Sequence, residues 1–296
     1  MASSKSRSTA KNLVAGGLAG ATEACIMYPT EFVKTQLQLA STSKGSSPPF
    51  KTPIDCLKFT VRTQGFLGLY SGLSTLIVGS IPKAAVRFAA FNQLSNMLKS
   101  SDGQLSTTAT MASGLGAGIV EAVVAVTPME TVKTRLIDDR NRPQPKYRGL
   151  VDVISKIVKA EGMKGFYAGV VPTMMKQGVN QAVRFAIYGR IKAFVTGGSG
   201  QITTLQSLLS GSLAGFVSVY VTMPFDVVKT RMQGLEAKAY TGTWNCFTSV
   251  IKNDGVLALW KGTTPRLSRV MFSGGIIFAS YEAVMKSLIN VWPEPE

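Results

Sequence analysis

One pattern, proline, any residue, acid, two residues, lysine, any residue, then Arg or Gln, occurs three times in this chain. The copies are Pro29-Thr-Glu31-Phe-Val-Lys34-Thr-Gln36, Pro128-Met-Glu130-Thr-Val-Lys133-Thr-Arg135 and Pro224-Phe-Asp226-Val-Val-Lys229-Thr-Arg231. The prolines stand 99 and 96 residues apart, so the chain reads as three similar units of nearly a hundred residues that share one architecture. Each copy ends an apolar run. The expected boundaries are a solvated N-terminal tail over 1–10 and repeats over 11–103, 104–200 and 201–296.

A helix from about Lys11 to Leu39 would be about 40 Å long, enough to cross a bilayer with its ends outside the hydrocarbon. Matching segments surround Pro128 and Pro224. Proline inside a spanning helix bends it rather than ending it when neighbours satisfy the freed carbonyl. Ahead of each proline lie glycines four residues apart: Gly16 and Gly20, Gly114 and Gly118, Gly211 and Gly215. Such pairs let a second backbone approach one helix face.

A polar stretch, a short amphipathic segment and a glycine and aromatic pattern follow in every unit. The amphipathic pieces are expected near Pro53 to Thr63, Leu150 to Ala160 and Thr243 to Asn253. The patterns run from Gly65 through Tyr70 to Gly72, from Gly162 through Tyr167 to Gly169, and from Gly255 through Trp260 to Gly262. Aromatics beside helix N-termini suit a membrane surface, where free N–H groups can hold lipid phosphates; a plain turn with an anchoring aromatic explains any one copy as well. A second apolar helix is expected after each pattern, near Leu73 to Leu98, Val170 to Val195 and Thr264 to Ile289. The fold class is therefore an all-α membrane protein with six spanning helices in three pseudo-threefold repeats, each with a short amphipathic helix. An even helix number places both termini with the short linkers.

Composition narrows the chemistry. Only 16% of residues are charged, yet Lys and Arg outnumber Asp and Glu by 32 to 16, a formal net charge of +16. A basic excess can serve nucleic acid, anionic lipid or an anionic substrate. The cations here are spread along apolar segments and loops, and no nucleic-acid module is present, so no nucleic-acid partner is expected. There is no histidine, and Cys25, Cys56 and Cys246 lie far apart, so neither a metal site, a cofactor nor an enzymatic centre is expected.

Charged groups within spanning segments are costly unless they face water or one another. Glu31, Lys34, Glu130, Lys133, Asp226 and Lys229 should therefore point inward from three helices, where the acid of one can meet the base of the next. A static clasp of salt bridges is the competing reading, but partly wet pairs of roughly 0.2–1 kcal/mol each can break and re-form.

With these residues in view, residues 11 to 290 resemble the mitochondrial carrier family, in the proline, acid and base pattern and in the glycine and aromatic pattern alike. Within the family, Glu31 to Leu39, Ser80 to Phe88, Asn180 to Phe185 and Arg231 to Ala237 are most similar to the carriers of citrate. The resemblance implies a multi-pass protein of the inner mitochondrial membrane with both termini on the intermembrane-space side. It implies exchange of citrate for another tricarboxylate, malate or phosphoenolpyruvate by alternating access, with cardiolipin as a lipid partner and no obligate protein partner.

The resemblance also implies that Glu31 pairs with Lys133, Glu130 with Lys229 and Asp226 with Lys34, closing the matrix side, and that Gln36 braces the ring from beneath. A cytosolic gate is expected near the ends of the even helices. There the sequence departs from the family, and only Lys192 and Glu282 keep the expected charges.

Aligning the even helices on Gly72, Gly169 and Gly262 gives equivalent positions at Gly79, Lys176 and Arg269, at Lys83, Asn180 and Ser273, and at Arg87, Arg184 and Ile277. Steps of four keep each set on one helix face. Lys83, Arg87, Lys176, Arg184 and Arg269 thus converge on a central cavity, with Gln177, Asn180 and Gln181 as neutral hydrogen-bond partners. Arg clamps a carboxylate in bidentate fashion and Lys supplies a point charge, so a polycarboxylate fits better than a nucleotide. Glu23 and Glu121, inside apolar spans, either pair with these cations or carry a proton with the substrate. A carrier of a dicarboxylate, oxoacid or phosphate, and a non-transporting membrane scaffold, are the alternatives on the same fold.

Overall fold

The computed structural model describes the backbone of residues 2–40, 50, 52–99, 105–142, 144–196 and 204–291, and side chains over most of that range beyond residue 14, with 184–212 and 289–291 excepted. The described residues contain helices and no strand. Repeat 1 supplies α1 (Ala2–Leu39), α2 (Pro53–Gln64) and α3 (Leu73–Leu98). Repeat 2 supplies α4 (Thr107–Glu121), a π turn (Ala122–Val126) and α5 (Thr127–Arg140) as one long element, then α6 (Leu150–Glu161) and α7 (Val170–Thr196). Repeat 3 supplies α8 (Thr204–Gln233), α9 (Thr243–Asp254) and α10 (Thr263–Val291).

The six long elements span the membrane, and α2, α6 and α9 are the short helices of the three repeats. Around the bundle the order follows the chain, and α10 packs back on α1 to close it. The most extensive contacts are α1 with α10, α3 with α4 and α7 with α8, each joining one repeat to the next. Among the described residues, Phe66–Leu98 and Thr108–Arg140 qualify as spans by length and hydropathy alone. Large apolar side chains on the long helices remain uncovered, among them Ile81, Phe88, Val124, Met271 and Phe272. A bilayer is the solvent that suits them.

Helix α1 starts well ahead of the start expected at Lys11, and α1 and α8 run unbroken through Pro29 and Pro224. A proline ring removes the hydrogen bond to the carbonyl four residues earlier. For Pro224 that carbonyl belongs to Tyr220, and it accepts from the Trp260 indole at 3.1 Å. Repeat 2 solves a different problem. Glu121 stands seven residues before Pro128, whereas Glu23 stands six before Pro29. The π turn absorbs the extra residue: the Thr127 N–H donates to the Ala122 carbonyl, which also accepts from the Thr127 hydroxyl at 2.6 Å. Glu121 is thereby kept on the inward face.

Each short helix buries one face against the motif-bearing long helix of its own repeat, through Cys56 in α2, Val153 and Ile157 in α6, and Cys246 and Val250 in α9. Each ends at a glycine of positive φ: Gly65, Gly162 and Gly255. A short 3-10 segment then leads to a second such glycine, with φ of 88° at Gly72, 74° at Gly169 and 86° at Gly262. These three glycines sit against the next repeat. A Cβ at Gly72 would lie 3.4 Å from the Lys133 carbonyl, at Gly169 3.2 Å from that of Lys229, and at Gly262 3.2 Å from that of Lys34. The start of every even helix is thus seated beneath a lysine of the repeated motif.

Candidate functional site: a ring of ion pairs beneath a cationic cavity

At the end of the bundle nearest the short helices, the three motif copies meet. Lys133 binds Glu31 at 2.8 Å, Lys34 binds Asp226 at 2.5 Å, and Lys229 binds Glu130. Lys34 also lies 3.9 Å from Glu31. Six charges at the inner end of apolar helices are tolerated because each carboxylate faces a cation of the neighbouring repeat. The ring is not symmetric. Asp226 is 1% exposed and meets three cations, since Lys176 binds it and Arg266 stands 3.6 Å away. Glu130 is 32% exposed on its side chain and has one ion-pair partner among the described residues, Lys229.

Beside the ring a cavity of about 190 Å³ is lined by its six charged residues together with Lys176, Arg266 and Arg269. Arg269 reaches Glu31 at 3.1 Å and Glu23 at 3.4 Å. Further along the bundle lies a level of three contacts between adjoining repeats. The Ser273 hydroxyl donates to Glu23 at 2.8 Å, Ser218 donates to Asn180, and Lys83 lies 3.9 Å from Glu121. Arg87 approaches the same Glu121 carboxylate at 3.4 Å. Gln177 and Gln181 are half-buried on α7. The side chains of Arg184 and Lys192 lie outside the described residues, and Glu282 is exposed on α10, so no pair between Lys192 and Glu282 can be described.

Of the cations expected to converge, Lys83, Arg87, Lys176 and Arg269 are each engaged by a carboxylate of another helix. Among the described residues of this interior, eight cations (Lys34, Lys83, Arg87, Lys133, Lys176, Lys229, Arg266 and Arg269) face five carboxylates (Glu23, Glu31, Glu121, Glu130 and Asp226). Three positive charges are left over. A site of that kind attracts a polyanion, and every cation is held by a group that the anion must replace.

Gln36 does not touch the ring carboxylates; its amide donates to the Ile137 carbonyl. The arginines in the same slot reach the ends of the short helices of their own repeats: Arg135 binds Glu161 through two nitrogens, at 2.7 and 3.0 Å, and Arg231 binds Asp254 at 2.6 Å. Repeat 1 has lost both partners together, since Gln64 stands where the other repeats have the acid. The acid directly before Gly162 and Gly255 was the available signal. Arg266 was missed as well, although it lies one helical turn before Arg269 on the same face. Gln38, which donates to Asp226 at 3.4 Å, carried no motif signal.

A family model described as mitochondrial carrier protein matches residues 5–102, 103–199 and 200–291. The chain is 48% identical to the mitochondrial tricarboxylate transport protein of Homo sapiens over 285 residues, covering 95% of this chain and 91% of that one. It is 46% identical to the protein of the same name from Rattus norvegicus over 284 residues, at 95% and 91% coverage. It is 43% identical to the tricarboxylate transport protein of Saccharomyces cerevisiae over 287 residues, at 94% and 95% coverage. With three repeats matched in succession and relatives aligned over nearly their whole length, the chain belongs to the mitochondrial carrier family and is a transporter, not an enzyme.

Proposed function

We propose that the protein exchanges citrate, or another tricarboxylate, for a tricarboxylate, malate or phosphoenolpyruvate across the inner mitochondrial membrane. The observation that carries this reading is the excess of three positive charges around one cavity inside six spanning helices; the names of the relatives point to the same anion class. In this reading Lys83, Arg87, Lys176, Arg184 and Arg269 bind carboxylates, joined by Gln177, Asn180 and Gln181. The ring of Glu31, Lys34, Glu130, Lys133, Asp226 and Lys229 is the matrix gate, and Lys192 with Glu282 belongs to the cytosolic one. Both termini then lie on the intermembrane-space side.

Alternating access follows from competition. An arriving carboxylate takes up Lys176 or Arg269, which now hold Asp226 and Glu31, and this loosens the ring while the opposite end closes over the anion. A ligand moves such an equilibrium only by binding one state better than the other, and the ring carboxylates supply that difference because they occupy the same cations as the substrate. At the membrane surface, a groove of about 180 Å³ between the start of α3 and the start of α6, lined by Arg140 and Arg148, suits a lipid phosphate such as that of cardiolipin.

The test is exchange in proteoliposomes over a panel of anions. Citrate uptake that requires internal citrate or malate supports the proposal. Indifference to citrate with exchange of a dicarboxylate, oxoacid or phosphate moves the fold to that cargo, and absence of any exchange leaves a membrane scaffold.

A further inference from the structure

Two residues beyond the slot of Gln36, the three motif copies carry Gln38, Ile137 and Gln233. These are equivalent positions in space as well as in sequence. Each packs on the glycine that opens an even helix of the adjoining repeat, with a Cβ on that glycine 3.4 Å from Gln38, 3.5 Å from Ile137 and 3.2 Å from Gln233. Gln38 is fully buried. Its amide nitrogen donates to Asp226 at 3.4 Å, and its amide oxygen accepts from the Thr230 hydroxyl at 2.7 Å. Its backbone carbonyl accepts from Arg231 at 3.2 Å. One side chain of α1 therefore ties together the carboxylate and the threonine of the α8 motif, and the backbone carbonyl of the same residue holds its arginine, directly behind the ion pair of Lys34 with Asp226. Gln233 occupies the same station behind Lys229 and Glu130, lines the cavity, and has a buried amide nitrogen with no hydrogen-bond partner among the described residues. At the third station Ile137 can form no such bond.

We infer that Gln38 is a positioning residue of the ring, in place of Gln36, and that it makes the seam between repeats 1 and 3 the lock that opens last. The reason is geometric. Between α1 and α8, Asp226 must release both Lys34 and the Gln38 amide, and Arg231 the Gln38 carbonyl, whereas between α5 and α8 Glu130 must release Lys229 with its glutamine unengaged. Gln36 cannot serve this purpose because it spends its donor on a backbone carbonyl of repeat 2. This inference rests on the reading of the ring as a gate.

The experiment measures uptake of labelled citrate by proteoliposomes with and without internal citrate, for the whole protein and for Gln38→Met, Gln36→Met, Asp226→Asn and the double variant Gln38→Met/Asp226→Asn. A hydrogen bond to a charged group shifts an equilibrium about tenfold, so Gln38→Met should raise uptake without a counter-anion by roughly that factor relative to exchange. The increase should vanish in the Asp226→Asn background, and Gln36→Met should produce none. Gln38→Ile, which installs the side chain that repeat 2 already carries at this station, gives the same reading where Met fails to fold. Uncoupled uptake at the wild-type level, or an equal further increase on top of Asp226→Asn, would overturn the inference. Absence of citrate exchange in the wild-type protein would instead remove the gate reading on which it stands.

Discussion

The Trp260 indole donates to the carbonyl of Tyr220, the residue four positions before Pro224. The hydrogen bond that proline takes from α8 is returned by the 3-10 segment that precedes α10 of the same repeat. Trp260→Phe keeps the packing against Val219 and Met223 but leaves that carbonyl without its donor. The variant should be less stable by about 1 kcal/mol, read as a lower midpoint of thermal unfolding in detergent. An unchanged midpoint would mean that the carbonyl freed by Pro224 needs no outside donor.

Gly169 and Lys229 test how the repeats are seated on one another. At Gly169 φ is 74° and a Cβ would stand 3.2 Å from the Lys229 carbonyl, so Gly169→Ala incurs both a left-handed backbone and a crowded contact. A loss of about 1–3 kcal/mol is expected. Gly178, inside α7 with open space where a Cβ would go, is the control. Gly178→Ala should be neutral or stabilising by up to about 1 kcal/mol.

Asp226 and Glu130 are formally the same motif position, yet their losses should differ. Asp226→Asn leaves Lys34, Lys176 and Arg266 facing an uncharged group in a buried site, a loss of about 3–5 kcal/mol. Glu130→Gln affects a partly exposed carboxylate that faces one buried lysine in place of three cations, and a smaller loss than that of Asp226→Asn is expected. Charge reversal separates them further. Exchanging the two members of the Glu130 and Lys229 pair should recover transport better than exchanging Asp226 and Lys34, because a lysine at 226 would still face Lys176 and Arg266. Equal recovery in the two swaps would contradict the asymmetry.

The same asymmetry marks where sequence reasoning succeeded and where it stopped. Pro29, Pro128 and Pro224 fixed the repeat, and the glycines at 72, 169 and 262 set the register in which Lys83, Asn180 and Ser273 fall at one level. These are local, periodic signals, and helices translate period into position. The partners of Arg135 and Arg231 were less legible because each acid lies on another helix, and only its place before a glycine hinted at it. Gln38 was not legible at all. A glutamine announces no partner in sequence, and its contacts with Asp226 and Thr230 come from α8, far along the chain.

Cys56 and Cys246 occupy equivalent places on the buried faces of α2 and α9, and burial pushes the pKa of both thiols up to about 12. The reactive thiolate is therefore scarce near neutrality and grows only as pH climbs toward that value. In folded protein both should resist a maleimide at pH 7 and react fully after denaturation, as read by mass spectrometry of the labelled peptides. Rapid labelling of either in the folded state would place it on a mobile segment instead.

Glu121 and Glu23 divide the remaining question of charge balance between them. Glu23 is held by Ser273 and Arg269, whereas one oxygen of Glu121 is buried without a hydrogen bond, with Lys83 at 3.9 Å and Arg87 at 3.4 Å. Exchange of a trianion for a dianion moves one net charge, which couples to the membrane potential by about 2.3 kcal/mol per 100 mV unless a proton travels with it. We propose Glu121 rather than Glu23 as the acceptor on geometry alone: a proton on its unpaired oxygen breaks no hydrogen bond and frees Lys83 and Arg87 for the substrate. Glu121→Gln should therefore flatten the pH dependence of citrate/malate exchange in liposomes and make that exchange sensitive to an imposed potential. Glu23→Gln should change the rate and leave the pH profile in place. An unaltered pH profile in both variants would remove proton carriage from this pair, leaving Glu23 and Glu121 as fixed counter-charges.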